Sequence, residues 1–255
     1  MRYHSPEYLL MRRLKKLLLQ LYTGWCLFWF LFIFLLLYPV VFISLQKESW
    51  KVVAHHCNRI WGHIFFFVVG MPVKIIYEAD IDTKKNYVFC ANHFSYLDIA
   101  LMGTVIKNYF AFVGKSSVKS IPLFGYMFTK LHIQVDRDKK SSRSKALTRS
   151  IKALKSGRSI MIFPEGGIHS TQFPQMVHPF KDGAFSMAIE NQVPIIPISL
   201  VDNYKIMPEI LMRPHRIRVI FHKPIETAGL TKKDVETLKQ QVYEVIQSTL
   251  DKYKD

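Results

Sequence analysis

The chain has 255 residues, 49% hydrophobic and 21% charged, and its 35 basic side chains outnumber 19 acidic ones to give a formal charge of +16. That composition excludes a disordered polypeptide and allows one sizeable core with a small appendage. The three cysteines, Cys26, Cys57 and Cys90, lack metal-ligand spacing, which argues against a zinc module or a disulfide framework and fits a reducing compartment.

From Leu17 to Leu45 the chain is uncharged and almost entirely apolar over 29 residues, more than the about 20 a helix needs to cross a hydrocarbon core. The stretch is too long for a signal peptide, and no small-residue cleavage site follows it. Arg12, Arg13, Lys15 and Lys16 precede it, which predicts that its start stays on the cytoplasmic side. Pro39 interrupts the run. Trp50, Val53, Cys57, Ile60, Trp61, Ile64 and Phe65 then recur at helical spacing, with Lys51, His55, Asn58 and Arg59 between them, until Gly70 and Pro72. Residues 1–70 are therefore expected to form a membrane-associated helical hairpin, with helices between Arg12 and Val69, that returns the chain to its starting side. A buried helix of a soluble core is the competing reading of the second segment.

From about Met71 strands and helices alternate. Strands are expected at Val73–Tyr77, Tyr87–Ala91, Phe110–Val113, His132–Val135, Ser159–Phe163, Ile195–Val201 and Arg216–Phe221. Helices are expected at Ile99–Ile106, Ser141–Ser156, Ala184–Asn191 and Thr231–Tyr253. The predicted fold is α/β: a mixed, largely buried sheet flanked by helices over residues 71–255, preceded by the membrane-embedded hairpin.

The most informative segment is Asn92-His93-Phe94-Ser95-Tyr96-Leu97-Asp98, between a predicted strand and a predicted helix. A five-residue separation places His93 and Asp98 roughly 140° apart on a helix and on opposite faces of a strand, so they meet only if the chain turns between them. Asp98 would then hold one imidazole nitrogen and raise the basicity of the other. That is two members of a Ser-His-Asp apparatus, with the nucleophile left to a substrate hydroxyl. Ser95-Tyr96-Leu97-Asp98 also fits a capping box, in which Asp98 serves only the helix N-terminus.

Five weaker signals follow. Gly114-Lys115 at a strand end can place an ammonium beside a phosphate, and Val135-Asp136-Arg137 presents a guanidinium at the next strand exit, with an ion pair to Asp136 or Asp138 as the alternative. Phe163-Pro164-Glu165-Gly166-Gly167 is a shaped turn whose carboxylate can accept a substrate hydroxyl, orient a basic phosphate ligand, or simply face water. Pro194 and Pro197 argue for an edge strand or a distorted start. Between Lys107 and Arg158 there are 13 basic residues against Asp136 and Asp138. Such a face attracts polyanions, and a hydrophobic hairpin beside it favours lipid over nucleic acid, for which no reading module is found.

Taken in order, these blocks resemble the 1-acylglycerol-3-phosphate acyltransferase family of PlsC-type glycerolipid acyltransferases. Its His-x4-Asp motif matches His93 and Asp98, with Asn92 in front. The second block matches Gly114, Lys115, Pro122 and Gly125 with Val135-Asp136-Arg137, the third Phe163-Pro164-Glu165-Gly166, and the fourth Val193-Pro194-Ile195-Ile196-Pro197. The resemblance runs from about Asn92 to Ile198. Two departures stand out: Gly167-Ile168-His169 replaces the usual threonine and arginine after the glycine, and Asp182 stands where many members carry a second lysine.

The resemblance implies acyl transfer from acyl-CoA or acyl-acyl carrier protein to lysophosphatidic acid, giving phosphatidic acid, with no metal or cofactor. Physically, His93 would be the general base and Asp98 its support. Lys115 and Arg137 would hold the acceptor phosphate, while Glu165, Gly166 and Gly167 shape that end of the site. Another lysolipid acceptor, such as a lyso-ornithine lipid, and a non-catalytic protein that binds anionic lipid are the alternatives.

Overall fold

The computed structural model describes residues 6–208 and 210–254. Helix α1 (Pro6–Ser44) is 39 residues long, and among the described residues it is the one helix long and apolar enough to cross a membrane. Most of its large apolar side chains are exposed, among them Leu10, Leu21, Phe28 and Leu36. Pro39 does not end it. A proline removes one hydrogen bond, and packing of Phe34, Tyr38, Val41 and Leu45 around Met127 and Leu131 holds the segment helical on both sides. The reversal falls instead at residues 45–50, after which α2 (Lys51–Val68) runs back.

Helix α2 carries apolar side chains on both its inner and its outer face. Ala54, Cys57, Phe65 and Phe66 are buried, while Val53, Ile60, Ile64 and Phe67 face outward. Its buried face joins α1 to the rest of the molecule: Cys26, Ile33, Phe65, Phe66 and Val69 belong to the same hydrophobic cluster as Phe89, Leu101, Met102 and Phe221.

The remaining elements are β1 (Val73–Tyr77), β2 (Val88–Ala91), α3 (Leu97–Val105), β3 (Phe110–Lys115), α4 (Phe124–Leu131), β4 (Ile133–Val135), α5 (Lys140–Lys155), β5 (Ser159–Ile162), α6 (Gly183–Asn191), β6 (Ile195–Val201), α7 (Asn203–Ile206), β7 (Ile217–Phe221) and α8 (Val235–Lys252). The seven strands form one mixed sheet in the order β1-β7-β6-β2-β5-β3-β4. Pairing is parallel throughout except between β6 and β7. Alternating side chains divide the core: Phe89, Phe110 and Ile198 face α1, α2 and α3, while Val88, Ala111 and Ile195 face α5, α6 and α8.

Strand β6 corrects an expectation. Its prolines left an edge or a distorted start open; the edge is excluded, because the strand lies between β2 and β7, and ladder pairing with β7 begins only at Ile198. Pro194 precedes the strand and uses only its carbonyl, which accepts from Val88 N–H at 3.0 Å. Pro197 accepts from His222 N–H at 3.0 Å, where pairing with β7 has already ended at Phe221, so its missing donor interrupts no ladder. Helices α4 and α7 were not foreseen. Both are short, and their segments carry too few turns to show a period.

Helix α2 crosses α3 at Gly62. A Cβ there would lie 1.8 Å from Thr104 Oγ1, closer than any real contact. We therefore expect Gly62→Ala to destabilise the protein by about 1–3 kcal/mol, and Thr104→Ala to recover part of that loss in the double variant. Thermal unfolding of the four detergent-solubilised proteins measures it, and additive losses would show that the two residues do not oppose each other.

Candidate active site

The turn from β2 into α3 is built around Asp98, which is 0% exposed. Its Oδ2 accepts from the backbone N–H groups of Phe94 (2.9 Å) and Ser95 (2.8 Å) and meets His93 Nδ1 at 2.9 Å. Its Oδ1 accepts from Asn203 Nδ2 at 2.9 Å. Ser95 Oγ in turn accepts from Leu97 N–H at 3.3 Å. The cap and the dyad are thus one arrangement, and Asp98 serves both. Because Nδ1 is committed to Asp98, Nε2 is the nitrogen left to exchange a proton. The imidazole stacks on Phe163, with ring centroids 4.1 Å apart and planes at 14°.

Neighbouring strands bring in the other candidates. The sheet order places β2, β5, β3 and β4 side by side and parallel. Consequently His93, Glu165, Lys115 and Arg137 follow one another along the carboxyl-terminal edge, where open α/β sheets bind ligands. At a strand spacing of about 4.8 Å, β4 stands roughly 14 Å from β2. Arg137 narrows that gap, because its Nη1 reaches across to donate to the Gly166 carbonyl. Gly166 sits at φ +82°, where a side chain would be strained, and a Cβ on Gly167 would come within 2.6 Å of His169 Nε2. Gly167 thus leaves room for His169 and for Arg137 Nη1, which a Cβ would approach to 3.2 Å. Lys115 is exposed at the end of β3. Gly114 before it accommodates the Phe128 ring, which a Cβ would approach to 2.5 Å.

Glu165, expected among the substrate-binding residues, is turned inward. It is 2% exposed, and its Oε1 accepts from His93 N–H at 2.7 Å while Oε2 accepts from Val177 N–H at 3.0 Å. Burial pushes its carboxyl up to about 7, against the lowering effect of those two donors. Glu165 therefore positions the backbone of His93 and ties the loop after β5 to it.

Two asparagines complete the support. Asn92 Oδ1 accepts from Leu200 N–H at 2.7 Å, and its Nδ2 donates to the Leu200 carbonyl at 3.1 Å, fastening the β2 exit to β6. Asn203, 105 residues from Asp98, went unrecognised in the sequence. It opens α7 after Asp202, whose φ of +70° reverses the chain. Burial raises the Asp202 carboxyl, but bonds to Lys205 and Arg218 outweigh it and hold the group low. The lysine-to-aspartate departure at 182 also has a partner, since Asp182 Oδ1 accepts from Lys239 Nζ at 2.9 Å. Among the described residues, no group of three His, Cys, Asp or Glu side chains could hold a metal ion.

A model of the family described as Acyltransferase matches residues 72–201. A 1-acyl-sn-glycerol-3-phosphate acyltransferase of Saccharomyces cerevisiae is 29% identical over 198 residues, covering 75% of this chain and 64% of its own. A chloroplastic 1-acyl-sn-glycerol-3-phosphate acyltransferase of Brassica napus is 28% identical over 234 residues, covering 88% of this chain and 64% of its own. The chain thus spans slightly less than two thirds of these relatives. In fold it is similar to the crystal structure of the 1-acyl-sn-glycerophosphate acyltransferase PlsC from Thermotoga maritima, with a TM-score of 0.75, 24% identity, and 95% of this chain and 98% of that one covered.

Two outcomes follow from the buried carboxylates. Asn203→Ala leaves Asp98 Oδ1 without its donor and is expected to cost about 1–3 kcal/mol, with Asn203→Asp costing more through like-charge repulsion, as read by denaturant unfolding. Burial raises the Glu165 pKa from 4.5 to about 7, so the native state holds this proton more tightly than the unfolded chain. The resulting stability is complete below pH 4.5 and is lost as pH rises to about 7. Relative to Glu165→Gln, which does not titrate, wild type should lose about 3 kcal/mol across that window; a gap independent of pH would contradict the assignment.

Proposed function

This chain belongs to the acyltransferase family, and from that premise we propose that it acylates the free hydroxyl of lysophosphatidic acid to give phosphatidic acid, using a long-chain acyl thioester as donor. The observation that carries the proposal is the buried His93–Asp98 pair, with Nδ1 fixed at 2.9 Å from Oδ2, while the serine of the motif, Ser95, is buried and caps the Leu97 N–H. His93 Nε2 takes the hydroxyl proton as the substrate oxygen attacks the thioester carbonyl, while Asp98 stabilises the imidazolium. Collapse of the tetrahedral intermediate breaks the carbon–sulfur bond. The imidazolium then returns the proton to the thiolate, so no acyl-enzyme forms. The co-substrate is acyl-CoA or acyl-acyl carrier protein, and no cofactor takes part.

Lys115 and Arg137 are proposed to receive the acceptor phosphate. The row of strand ends supports this, since Arg137 already lies over the turn next to His93's strand. Helix α1, long and apolar enough for a bilayer, would bring the site to lipid substrates, and the basic residues Arg12, Arg13, Lys15 and Lys16 favour a cytoplasmic orientation. Acceptor choice has a second candidate in a lyso-ornithine lipid. It is favoured by the absence of the usual threonine and arginine after Gly166, together with the engagement of Arg137 by the Gly166 carbonyl.

Thiol release from a long-chain acyl-CoA in mixed micelles, with lysophosphatidic acid, lyso-ornithine lipid or no acceptor, tests the proposal. Release dependent on lysophosphatidic acid is expected, and His93→Ala should lower it by about 10²–10⁴-fold. Full activity of His93→Ala would overturn the mechanism, and release with lyso-ornithine lipid alone would overturn the acceptor. If acyl-CoA gives none, the same assay with acyl-acyl carrier protein decides between the donors.

A further inference from the structure

Helix α5 carries six basic side chains, Lys140, Arg143, Lys145, Arg149, Lys152 and Lys155, and no acidic one. All six are exposed, while Ala146, Ser150 and Leu154 turn inward. None of the six forms an ion pair with a described carboxylate; the nearest such pair, Lys139 with Asp136 at 3.3 Å, precedes the helix. The arrangement works against the helix itself. Lys140 and Arg143 lie at the positive end of its dipole, and Lys145 with Arg149, Arg149 with Lys152, and Lys152 with Lys155 are like charges at neighbouring positions. Helix stability does not explain such a face. An anionic partner would.

Placement narrows the partner. Helix α5 packs on the sheet face opposite α1, α2 and α3, so it does not share the surface on which α1 exposes its apolar side chains. A bilayer that takes up α1 is therefore poorly placed to cover α5. The cations extend from Lys140 to Lys155, about 22 Å along the axis, whereas the phosphates of a nucleotide-bearing thioester would meet only one end of the row. The end nearest the candidate site is tied to it directly, because Arg143 Nη1 donates to the Arg137 carbonyl at 2.6 Å.

We propose that the outer face of α5 docks an acidic acyl carrier protein, which delivers its thioester to the carboxyl-terminal edge of the sheet. The proposal rests on the acyl-transfer reading and specifies its donor. Electrostatic docking of this kind acts on encounter and on KM more than on chemistry.

The triple variant K145E/R149E/K152E of the full chain tests it. The sign reversal keeps two like-charge neighbours, 145 with 149 and 149 with 152, as in the wild type, and sets position 152 against Lys155, while glutamate is as good a helix former as lysine or arginine, so the helix is expected to persist. The KM for palmitoyl-acyl carrier protein should rise roughly tenfold or more, while turnover with palmitoyl-CoA stays unchanged. Equal effects on both donors, or none on either, would overturn the proposal. Binding of purified holo-acyl carrier protein provides a readout that needs no turnover: wild type should bind in a salt-sensitive manner and the variant should not. If wild type transfers from neither donor, the acyl-transfer reading fails, and the binding result still decides the docking surface. Absence of wild-type binding overturns the proposal, as does a variant that loses anionic-vesicle binding but retains the carrier protein.

Discussion

A carboxylate shut away from water must find its donors inside the protein, and Asp98 finds four. Two come from the backbone of the turn it closes, one from His93 and one from Asn203 on a distant segment. Such donors offset the cost of keeping a carboxylate away from water. The same bonds that hold the charge also fix the imidazole, the turn and the start of α3. Removing Asp98 from this turn would therefore alter the path of the chain as well as the setting of His93, and a pair of this kind is inseparable from the fold that carries it.

Around this centre the sheet supplies distance and direction. Parallel strands in the order β2-β5-β3-β4 set the dyad and the basic residues along one edge. Glu165 then couples neighbours by holding the His93 N–H with one oxygen and the Val177 N–H with the other. It remains buried at the cost of a raised pKa, a penalty more typical of a residue that positions than of one that binds phosphate. Arg137 has the opposite character: half-buried, it leans across toward the β5 turn and carries a charge suited to an anion.

Much of this was visible in the chain. Short apolar runs bounded by polar turns give strand positions directly, and Val73–Tyr77 and Ile195–Val201 fall where the alternation places them. The His93–Asp98 spacing implied a turn, and the turn is there. What stayed hidden depended on contacts distant in sequence. Nothing around Asn203 signals a partner 105 residues away. The central position of β6 was obscured because two prolines mimic an edge, and only the register with β7 reveals that Pro197 disrupts nothing. Arg158 counted toward the basic face, yet it is turned inward to the Phe110 and Leu131 carbonyls and the Tyr109 ring. Charge can be tallied from a sequence; the side it faces cannot.

The shared hydrophobic cluster has a consequence for the way such a protein can be taken apart. Phe65, Phe66 and Val69 from α2 and Cys26 and Ile33 from α1 are packed with Phe89, Leu101 and Met102. A chain cut before Met71 would bare Phe89, Leu101 and Met102 to water, so trimming α1 and α2 would leave a sticky remnant in place of a soluble domain. The long apolar helix is here part of the core, and exchange of α1 and α2 for a tag or a foreign helix would have to rebuild that interior first.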